Sequence, residues 1–418
     1  MKKKKSVAIG AIALLAAGAG LTGCSSSSSS SGPVDLTVWT GFTGGDAPGY
    51  TQIVKDFNAS QSKVKVTMTV QPWDTIQQKL PSAWLTGTGP DIAAPAPDPN
   101  VIAQYVKTNS VLPLTASGSG DTKINTSKFA SALTKEFTYN GKLYAVPANY
   151  ATLSLYYNKK LFKAAGIASA PTTVAEFQAD AKKLTTGGTY GLSLADNNTI
   201  QMWPILQWLS GGEVTDSKNC SALQTQASID SLQPWVTLVK DDKISPVGQS
   251  GAEADSLFSA GKAAMEINGP WAAPGYKSAG IDLGIAKIPV GDDGTNVTLG
   301  STAPLAISAK TKHPTEAQQF LAYWTSKSTQ LKFSKSTGFP PLRTDLSDNA
   351  TLKADPTVSV FASQVPDARL YLPQVPSATQ VDANGYVPFI QKVTRDGDVS
   401  ADATSAAATI NQLTGCSS

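Results

Sequence analysis

The strongest constraint on the fold is an alternation of strand and helix patterns near the start of the chain. Val34–Trp39 and Lys63–Val70 alternate apolar and polar side chains with the period of a β-strand. Tyr50–Ser60 carries apolar residues at helical spacing, and Trp73–Leu85 is a second helical stretch that precedes a strand opening at Ile92. Strands and helices in this order predict an α/β layer with a mostly parallel sheet.

The composition limits the kinds of partner that the chain can bind. Its 418 residues suggest two or three domains, and charged residues make up only 16% of them. The 34 basic residues outnumber the 31 acidic ones only because of Lys2–Lys5. A weakly charged, hydroxyl-rich surface favours a neutral ligand with hydroxyl groups, and it leaves no basic patch for nucleic acid or another polyanion.

The first 23 residues predict a signal peptide. Lys2–Lys5 form a positive region, Val7–Gly20 is apolar but short for a membrane span, and Leu21-Thr22-Gly23-Cys24 resembles a bacterial lipobox. We expect cleavage before Cys24 and lipidation of its thiol, which would anchor the protein to the outer face of the bacterial cell membrane without spanning it. The alternative is an ordinary secretion signal with a chance cysteine.

Residues 24–32 combine the lipidated cysteine with a serine-rich tether that has no apolar side chain to bury. If Cys24 carries lipid, Cys220 and Cys416 remain as an even pair in an oxidising compartment, where a disulfide is expected. Two unrelated thiols are the alternative.

A strand that ends abruptly in front of a tryptophan marks a possible binding position. Met265–Ile267 has strand alternation, and Asn268-Gly269-Pro270 stops the ladder because proline has no N–H. Trp271 follows at once. A tryptophan held in this way either packs in the core or offers its face to a ligand.

Six segments in the same order as in a known family carry a resemblance: Leu36–Trp39, Thr88–Ile92, Tyr139–Pro147, Leu153–Lys159, Gly211-Gly212 and Ile267–Trp271. On these segments the chain resembles family 1 extracellular solute-binding proteins, the carbohydrate receptors of ABC importers, and it is most similar to their maltodextrin-binding branch. The resemblance implies an α/β, two-lobed periplasmic-binding-protein-like fold of type II. Each lobe would have a mostly parallel sheet flanked by helices, with the ligand in the cleft between the lobes and hinge closure around it.

The resemblance also implies a division of the chain. Lobe one would comprise residues 33–147 plus 271–312, and lobe two residues 148–270 plus 313–418. The chain would then cross between lobes near Tyr150, Trp271 and His313.

The family's ligand contacts map unevenly onto this sequence. The acidic contact of lobe one falls on Asp98, a tryptophan at the cleft floor on Trp203, and one aromatic platform on Trp271. Other family positions hold Ala151 in place of an acid, and Pro95, Ile200 and Asp382 in place of aromatic residues. These departures favour a shorter or differently linked saccharide than a long α-glucan.

Sugar rings pack their C–H faces on aromatic side chains and present hydroxyl groups to planar polar ones. The candidates for aromatic packing are Phe42, Tyr150, Trp203 and Trp271. The candidates for polar contacts with the hydroxyl groups are Asp98, Asn149, Gln201, Arg369 and Asp382. Some have plain structural alternatives. Trp203 could belong to the core, Arg369 to a surface ion pair, and Asp382 to a helix cap.

The function that follows is capture of a mono- or oligosaccharide and its delivery to a membrane permease, by a monomer that needs no cofactor. A receptor for a polyamine, peptide or metal complex is an alternative, although cations favour several carboxylates and the sequence places only Asp98 and Asp382 in the cleft. A lipid-anchored glycoside hydrolase is a further alternative, but no motif places a pair of carboxylates. His313 is the only histidine, which excludes His-dependent triads and multi-histidine metal sites.

Overall fold

The computed structural model describes residues 32–98, 100–115, 120–197, 202–373, 375 and 377–416. The signal peptide, Cys24 and the serine tether up to residue 31 lie outside the described residues, as does Gln201.

The strands of the described residues are β1 (Val34–Thr40), β2 (Val64–Val70), β3 (Ile92–Ala93), β4 (Thr138–Tyr139), β5 (Lys142–Leu143), β6 (Ala145–Pro147), β7 (Ala151–Thr152), β8 (Ser154–Asn158), β9 (Tyr190–Ser193), β10 (Ala263–Asn268), β11 (Leu283–Ala286), β12 (Thr298–Ser301), β13 (Pro304–Ile307) and β14 (Ala368–Leu370).

The helices are α1 (Ala47–Ser60), α2 (Trp73–Thr86), α3 (Val101–Lys107), α4 (Ser131–Glu136), α5 (Lys159–Ala164), α6 (Val174–Leu184), α7 (Met202–Trp208), α8 (Gln226–Lys240), α9 (Gly251–Ser259), α10 (Ala273–Ser278), α11 (Pro314–Trp324), α12 (Lys327–Thr337), α13 (Ala350–Ala354), α14 (Pro356–Ser363), α15 (Ala378–Val381), α16 (Val387–Asp396) and α17 (Val399–Thr414).

Lobe one is built on a five-stranded sheet in the order β2-β1-β3-β13-β6. The predicted β1, β2 and β3 pair in parallel, with Val38 opposite both Met68 and Ile92. β13 runs antiparallel to β3 and β6, because it enters from the hinge side, where the parallel strands end. Four of its five strands therefore run in the same direction, as the prediction of a mostly parallel sheet requires, and β13 is reversed. Its core includes the fully buried Phe320 and Trp324 of α11.

Lobe two has a four-stranded sheet in the order β11-β8-β10-β9. β8 pairs antiparallel with both β10 and β11, and β9 pairs in parallel with β10, so three of the four strands run in the same direction. Trp203 and Trp235 from α7 and α8 are buried in the core of this lobe, as is Phe177 of α6. Each lobe thus has a hydrophobic core of its own, as two separate domains require.

A small sheet of β14, β12 and β7, called here the hinge sheet, carries the chain between the lobes. β7 connects β6 of lobe one to β8 of lobe two, and β12 connects β11 of lobe two to β13 of lobe one. β14 precedes Leu372, which is buried in the core of lobe two. The first two crossings therefore fall at β7 and β12. The third lies between Leu342, which packs in the core of lobe one, and Phe361 of α14, which packs against Tyr156 of lobe two.

The observed division corrects the predicted boundaries in two places. Residues 271–297 were expected in lobe one, but β11 pairs with β8 of lobe two. Residues 313–342 were expected in lobe two, but α11 and α12 pack on the sheet of lobe one, where the indole N–H of Trp324 donates to the carbonyl of Ala148 at 2.8 Å. One crossing lies at β7, next to Tyr150. The other two lie at β12 and after α12, rather than near Trp271 and His313.

Cys220 and Cys416 form the disulfide that the cysteine count predicts, with their Cα atoms 5.3 Å apart. The bond ties the end of α17 to a loop that follows α7 in lobe two. None of the helices in the described part of the chain combines the length and apolar character needed to cross a bilayer.

Candidate functional site

The parallel strands of lobe one all end at the cleft between the lobes. Gly41 and Phe42 follow β1, Trp73 follows β2, and Pro97 and Asp98 follow β3. Loops at the carboxyl ends of parallel strands are the usual place for ligands in α/β sheets. Lobe one thus places aromatic and acidic side chains along the edge of its sheet that borders the cleft.

Two adjoining cavities fill the cleft, and both have walls from each lobe. The first, called here the aromatic compartment, has a volume of about 280 Å³ and includes Phe42 of lobe one and Trp271 of lobe two. The second, the wide compartment, has a volume of about 550 Å³ and includes Asp98 of lobe one and Asp382 of lobe two. Both share Trp73, Pro97 and Ser301. A more open groove of about 720 Å³ between α6 and α8 is formed by lobe two alone.

Four aromatic side chains line the aromatic compartment: Phe42, Trp73, Trp271 and Phe339. The ring of Phe42 stacks on Tyr50 with 3.8 Å between ring centroids, and its edge meets Trp73 at 5.5 Å. These contacts hold Phe42 and Trp73 in place without a ligand. Rigid aromatic faces of this kind suit the C–H face of a sugar ring.

Two glycines let the tryptophan rings lie against the backbone. A Cβ on Gly41 would come within 2.0 Å of the Trp73 ring, and one on Gly269 within 2.2 Å of the Trp271 ring. Gly269 is therefore required by the close approach of Trp271. The Asn268-Gly269-Pro270 segment positions that side chain, which is only half-buried, over the cleft.

Asn149 lines the aromatic compartment, but its side-chain amide already forms hydrogen bonds within the protein. Its Nδ2 donates to the hydroxyl of Tyr50 at 2.6 Å, and its Oδ1 accepts from the backbone N–H of Ala303 at 3.2 Å. The Tyr50 hydroxyl is also hydrogen-bonded to Asp46. Burial raises the pKa of Asp46 to about 6, against the opposing effect of its hydrogen bonds. Asn149 thus orders the floor of the compartment.

A pair of carboxyl groups forms the wall of the aromatic compartment in lobe two. Tyr276 donates a hydrogen bond to Oε2 of Glu266, and Nδ2 of Asn268 donates to Oδ1 of Asp255 at 2.7 Å. Burial, and then the negative charge of Asp255, hold the pKa of Glu266 well above its usual range. Burial also raises the pKa of Asp255. Burial and the closeness of the two acids thus both disfavour their ionised forms.

In the wide compartment, polar groups of the two lobes meet. Nδ2 of Asn100 in lobe one donates to the carbonyl of Tyr371 at 3.1 Å, and the Tyr371 hydroxyl donates to Oδ1 of Asp382 at 3.0 Å. Asp98 accepts from the backbone N–H of Asn100 at 3.0 Å. Burial raises the pKa of Asp382 to about 6, and burial together with the charges of Asp382 and Glu136 raises that of Asp98 to about 7.

Of the residues that the structure describes, several acids and no basic side chain line the cleft. Six carboxyl side chains line the two compartments: Asp46, Asp74, Asp98, Asp255, Glu266 and Asp382. Among the described residues, no lysine, arginine or histidine lines either compartment. The described part of the chain also holds no group of three or more His, Cys, Asp or Glu side chains arranged for a metal ion. Such walls can accept hydrogen bonds from hydroxyl or amino groups.

Five of the predicted ligand contacts lie at these cavities: Phe42, Asp98, Asn149, Trp271 and Asp382. Tyr150 is 7% exposed and packs in the core of lobe one, with its hydroxyl against Gly300 of the hinge sheet. Gln201 lies outside the described residues.

Trp203 is a core residue rather than a cleft residue. It is 1% exposed, and its indole N–H donates to the carbonyl of Ala195 at 2.9 Å. Its neighbours in α7, Met202 and Pro204, line the two compartments instead. With its ring enclosed and its only donor used, Trp203 offers a ligand no surface.

Arg369 has the surface role that its sequence allowed as an alternative. Its guanidinium pairs with Glu213 at 2.6 Å and lies over the ring of Trp208 at 4.6 Å. Both charged side chains are about two-fifths exposed, at 44% and 40%. Arg369 lines neither compartment.

Sequence reasoning missed several cleft residues: Trp73, Phe339, Tyr371, Asp46, Asp255 and Glu266. Trp73 could have been found, because it follows the end of a parallel strand just as Phe42 does. Phe339 follows α12, far along the chain, and no local pattern signals its position. Asp255 and Glu266 lie in a helix and a strand whose patterns indicate only secondary structure.

A protein with two α/β lobes, a three-stranded hinge and one cleft with walls from both lobes has the architecture of a receptor that closes around a small solute. The chain belongs to the family described as bacterial extracellular solute-binding proteins, whose profile matches residues 52–360. These are the binding components of ABC importers and are not enzymes.

Individual relatives extend the similarity over most of the chain. The galactooligosaccharide-binding protein of Bacillus subtilis is 25% identical over 371 residues, which is 85% of this chain and 84% of that protein. The GacH receptor of Streptomyces glaucescens, solved unliganded and with acarbose, superposes with a TM-score of 0.79 at 23% identity, covering 92% of this chain and 99% of that one. UgpB of Mycobacterium tuberculosis, solved with glycerophosphocholine, gives a TM-score of 0.80 at 22% identity, with coverage of 92% and 98%. The last two similarities show the fold.

Proposed function

We propose that the protein captures a mono- or oligosaccharide in its interlobe cleft and delivers it to the permease of an ABC importer. The observation that carries the proposal is the aromatic compartment, where Phe42 and Trp73 are held rigid and Trp271 faces them from the other lobe. Aromatic faces beside carboxyl acceptors are the combination that a ring with apolar faces and a hydroxyl rim requires. The sugar-binding names of relatives such as the galactooligosaccharide-binding protein support the same class of ligand.

The size of the cleft supports a short ligand. The two compartments measure about 280 and 550 Å³, and they meet at Trp73, Pro97 and Ser301. A disaccharide or trisaccharide would place one ring against the aromatic side chains and the next in the wide compartment. The replacement of aromatic platforms by Pro95 and Asp382 agrees with a ligand that differs from a long α-glucan.

The test is a thermal shift screen of the mature protein, followed by calorimetry of the hits. A ligand in excess that binds only the native state raises the melting temperature by mass action. We expect at least one neutral or amino-bearing mono- to trisaccharide to raise it. A screen in which peptides, polyamines or metal complexes raise it and no saccharide does would overturn the proposal.

A receptor for a cationic solute is the second candidate, because the six cleft carboxyl groups have no basic partner among the described lining residues. The sequence placed only two acids there, so the structure strengthens this alternative. The same screen, with spermidine and small quaternary amines included, separates the two candidates.

Membrane attachment through Cys24 is part of the proposal. Lipid on this residue would hold a monomeric receptor at the outer face of the membrane, close to the permease. Changing Cys24→Ala should move the protein from the membrane fraction to the soluble extracytoplasmic fraction. Membrane retention of the variant without detergent would contradict the anchor, whereas ligand binding by the isolated protein should be unaffected.

A further inference from the structure

The wide compartment has a charge arrangement that a neutral sugar does not require. Asp98 enters it from lobe one and Asp382 from lobe two, so two carboxyl groups meet from opposite sides of the cleft. The charges that act on Asp98 belong to Asp382 and Glu136, and both are negative. Neither Asp98 nor Asp382 forms an ion pair with any described lysine, arginine or histidine.

Of the other four cleft acids, Asp74 is exposed, and the remaining three have hydrogen-bond partners within the protein. Glu266 accepts a hydrogen bond from the Tyr276 hydroxyl, and Asp255 accepts one from Nδ2 of Asn268. Asp46 is hydrogen-bonded to the Tyr50 hydroxyl. Asp98 accepts a hydrogen bond from the N–H of Asn100 and Asp382 one from the Tyr371 hydroxyl, but the two carboxyl groups reach the same compartment from different lobes and neither pairs with a described cation.

Closure of the cleft makes this arrangement more costly unless a positive group is present. Removing two facing carboxylates from water disfavours their charged forms, and each also opposes the ionisation of the other. A hydroxyl group contributes a neutral hydrogen bond, whereas an ammonium group between the two acids also cancels their repulsion. The ligand that best stabilises the closed form thus carries a positive charge at this position.

We propose that the ligand of this receptor is a saccharide with a protonated amino group, which binds between Asp98 and Asp382. The proposal rests on the proposed function for the saccharide part. The aromatic compartment takes the face of one ring, beside Phe42 and Trp271, and the wide compartment takes the amino group. Because each acid belongs to a different lobe, the ammonium group joins the lobes and favours their closure.

The test compares ligands that differ only at one substituent. The probes are β-1,4-linked disaccharides of glucosamine, N-acetylglucosamine and glucose, together with the three monosaccharides and spermidine. Binding to the mature protein is measured by calorimetry at pH 7 and low salt. Because a charge-assisted hydrogen bond replaces a neutral one, we expect the amino form to bind at least about tenfold more tightly than the matching hydroxyl form.

Three variants assign the effect to the two acids. Asp98→Asn and Asp382→Asn should each remove the preference for the amino form, measured in each variant as the ratio of its affinities for the amino and hydroxyl forms. Asp230→Asn is the matched control, because this exposed aspartate of α8 lies outside both compartments and should leave the preference intact. Melting curves establish that each variant is folded.

The outcomes separate this inference from the proposed function. Equal or tighter binding of the neutral sugars by the wild type overturns the inference and leaves saccharide binding standing. Binding of spermidine without any saccharide overturns both the saccharide function and the amino sugar. A preference for the amino form that survives in both Asn variants overturns the assignment to Asp98 and Asp382. Binding of no probe overturns the amino-sugar inference, while the proposed function is decided by the wider saccharide screen.

Discussion

The ring of Trp271 lies 6.3 Å from that of Phe339, measured between centroids, and the two residues belong to different lobes. Trp271 follows β10 of lobe two, whereas Phe339 follows α12 and packs in the core of lobe one. The pair joins the walls of the aromatic compartment at the point where the lobes meet. Trp271 also packs against the cores of both lobes, so its contacts depend on how the lobes are placed relative to each other.

Replacement of Trp271 tests whether its face binds the ligand. Trp271→Ala should weaken saccharide binding by about 1–3 kcal/mol, because a half-buried aromatic face and its stacking contact are lost. Trp271→Phe should retain part of the affinity, since a smaller ring remains. Calorimetry with a saccharide found by the thermal screen gives the values. Unchanged affinity with a lowered melting temperature would make Trp271 a packing residue only.

Trp203 should affect stability rather than affinity. Trp203→Ala should lower the free energy of unfolding by about 3–5 kcal/mol, because it leaves a cavity in the core of lobe two and an unpaired carbonyl at Ala195. Trp324→Ala is the matched variant in lobe one, where the indole is equally buried and donates to the carbonyl of Ala148. Denaturant unfolding and calorimetry below the transition measure both effects. A large loss of affinity in a stable Trp203→Ala protein would restore its predicted role at the cleft floor.

The local features of the fold were predictable, because strand and helix periodicity depends on near neighbours. β1 and β2 are confirmed where the alternation placed them. The helix predicted to begin at Trp73 also begins at that residue in the structure. The family segments identified the two-lobed class. The lobe boundaries were harder to predict from the sequence, because the pattern of β11 does not show which sheet the strand joins. Only its pairing with β8 assigns it to lobe two.

Only part of the candidate site could be predicted, again because sequence patterns depend on near neighbours along the chain. Asp98 and Trp271 stand directly after strands, where a ligand edge is expected, and both line the cleft. Trp203 matched a family position, but only the packing of α7 decides which way its ring faces. Asp255 lies in α9 and Glu266 in β10, and the two acids meet only because this helix packs against this strand. Their spacing along the chain does not reveal the contact.

The disulfide should stabilise lobe two without changing the ligand site. The bond between Cys220 and Cys416 closes a loop with a sequence separation of 196, so its loss should cost about 2–5 kcal/mol by the chain-entropy argument. The Cys220→Ser and Cys416→Ser double variant should therefore unfold at lower denaturant concentration. Reductant should shift the wild type to the same midpoint and leave the double variant unchanged. If reductant and double mutation both leave the midpoint unaltered, the bond contributes nothing to stability.

The stability of the ligand-free protein should fall as the pH rises from about 5 to 8. The pKa of Asp98 is raised from 3.8 to about 7, and those of Asp46 and Asp382 are raised to about 6. Between the unfolded and folded pKa values the native state holds protons that the unfolded chain has released, so raising the pH favours unfolding. The melting temperature should therefore be several degrees higher at pH 5 than at pH 8, at about 2–4 °C for each kcal/mol of linkage.

Single substitutions identify the groups responsible for this slope. Asp98→Asn should flatten the dependence of melting temperature on pH between 5 and 8, because the amide does not titrate. Asp230→Asn, an exposed aspartate of α8, should keep the wild-type slope. Partly exposed acids with lowered pKa values, such as Asp56 and Asp345, change charge below this window and do not obscure it. A melting temperature that rises with pH over this range would show that the cleft acids are ionised in the native state, which would contradict the desolvation of Asp98 and Asp382.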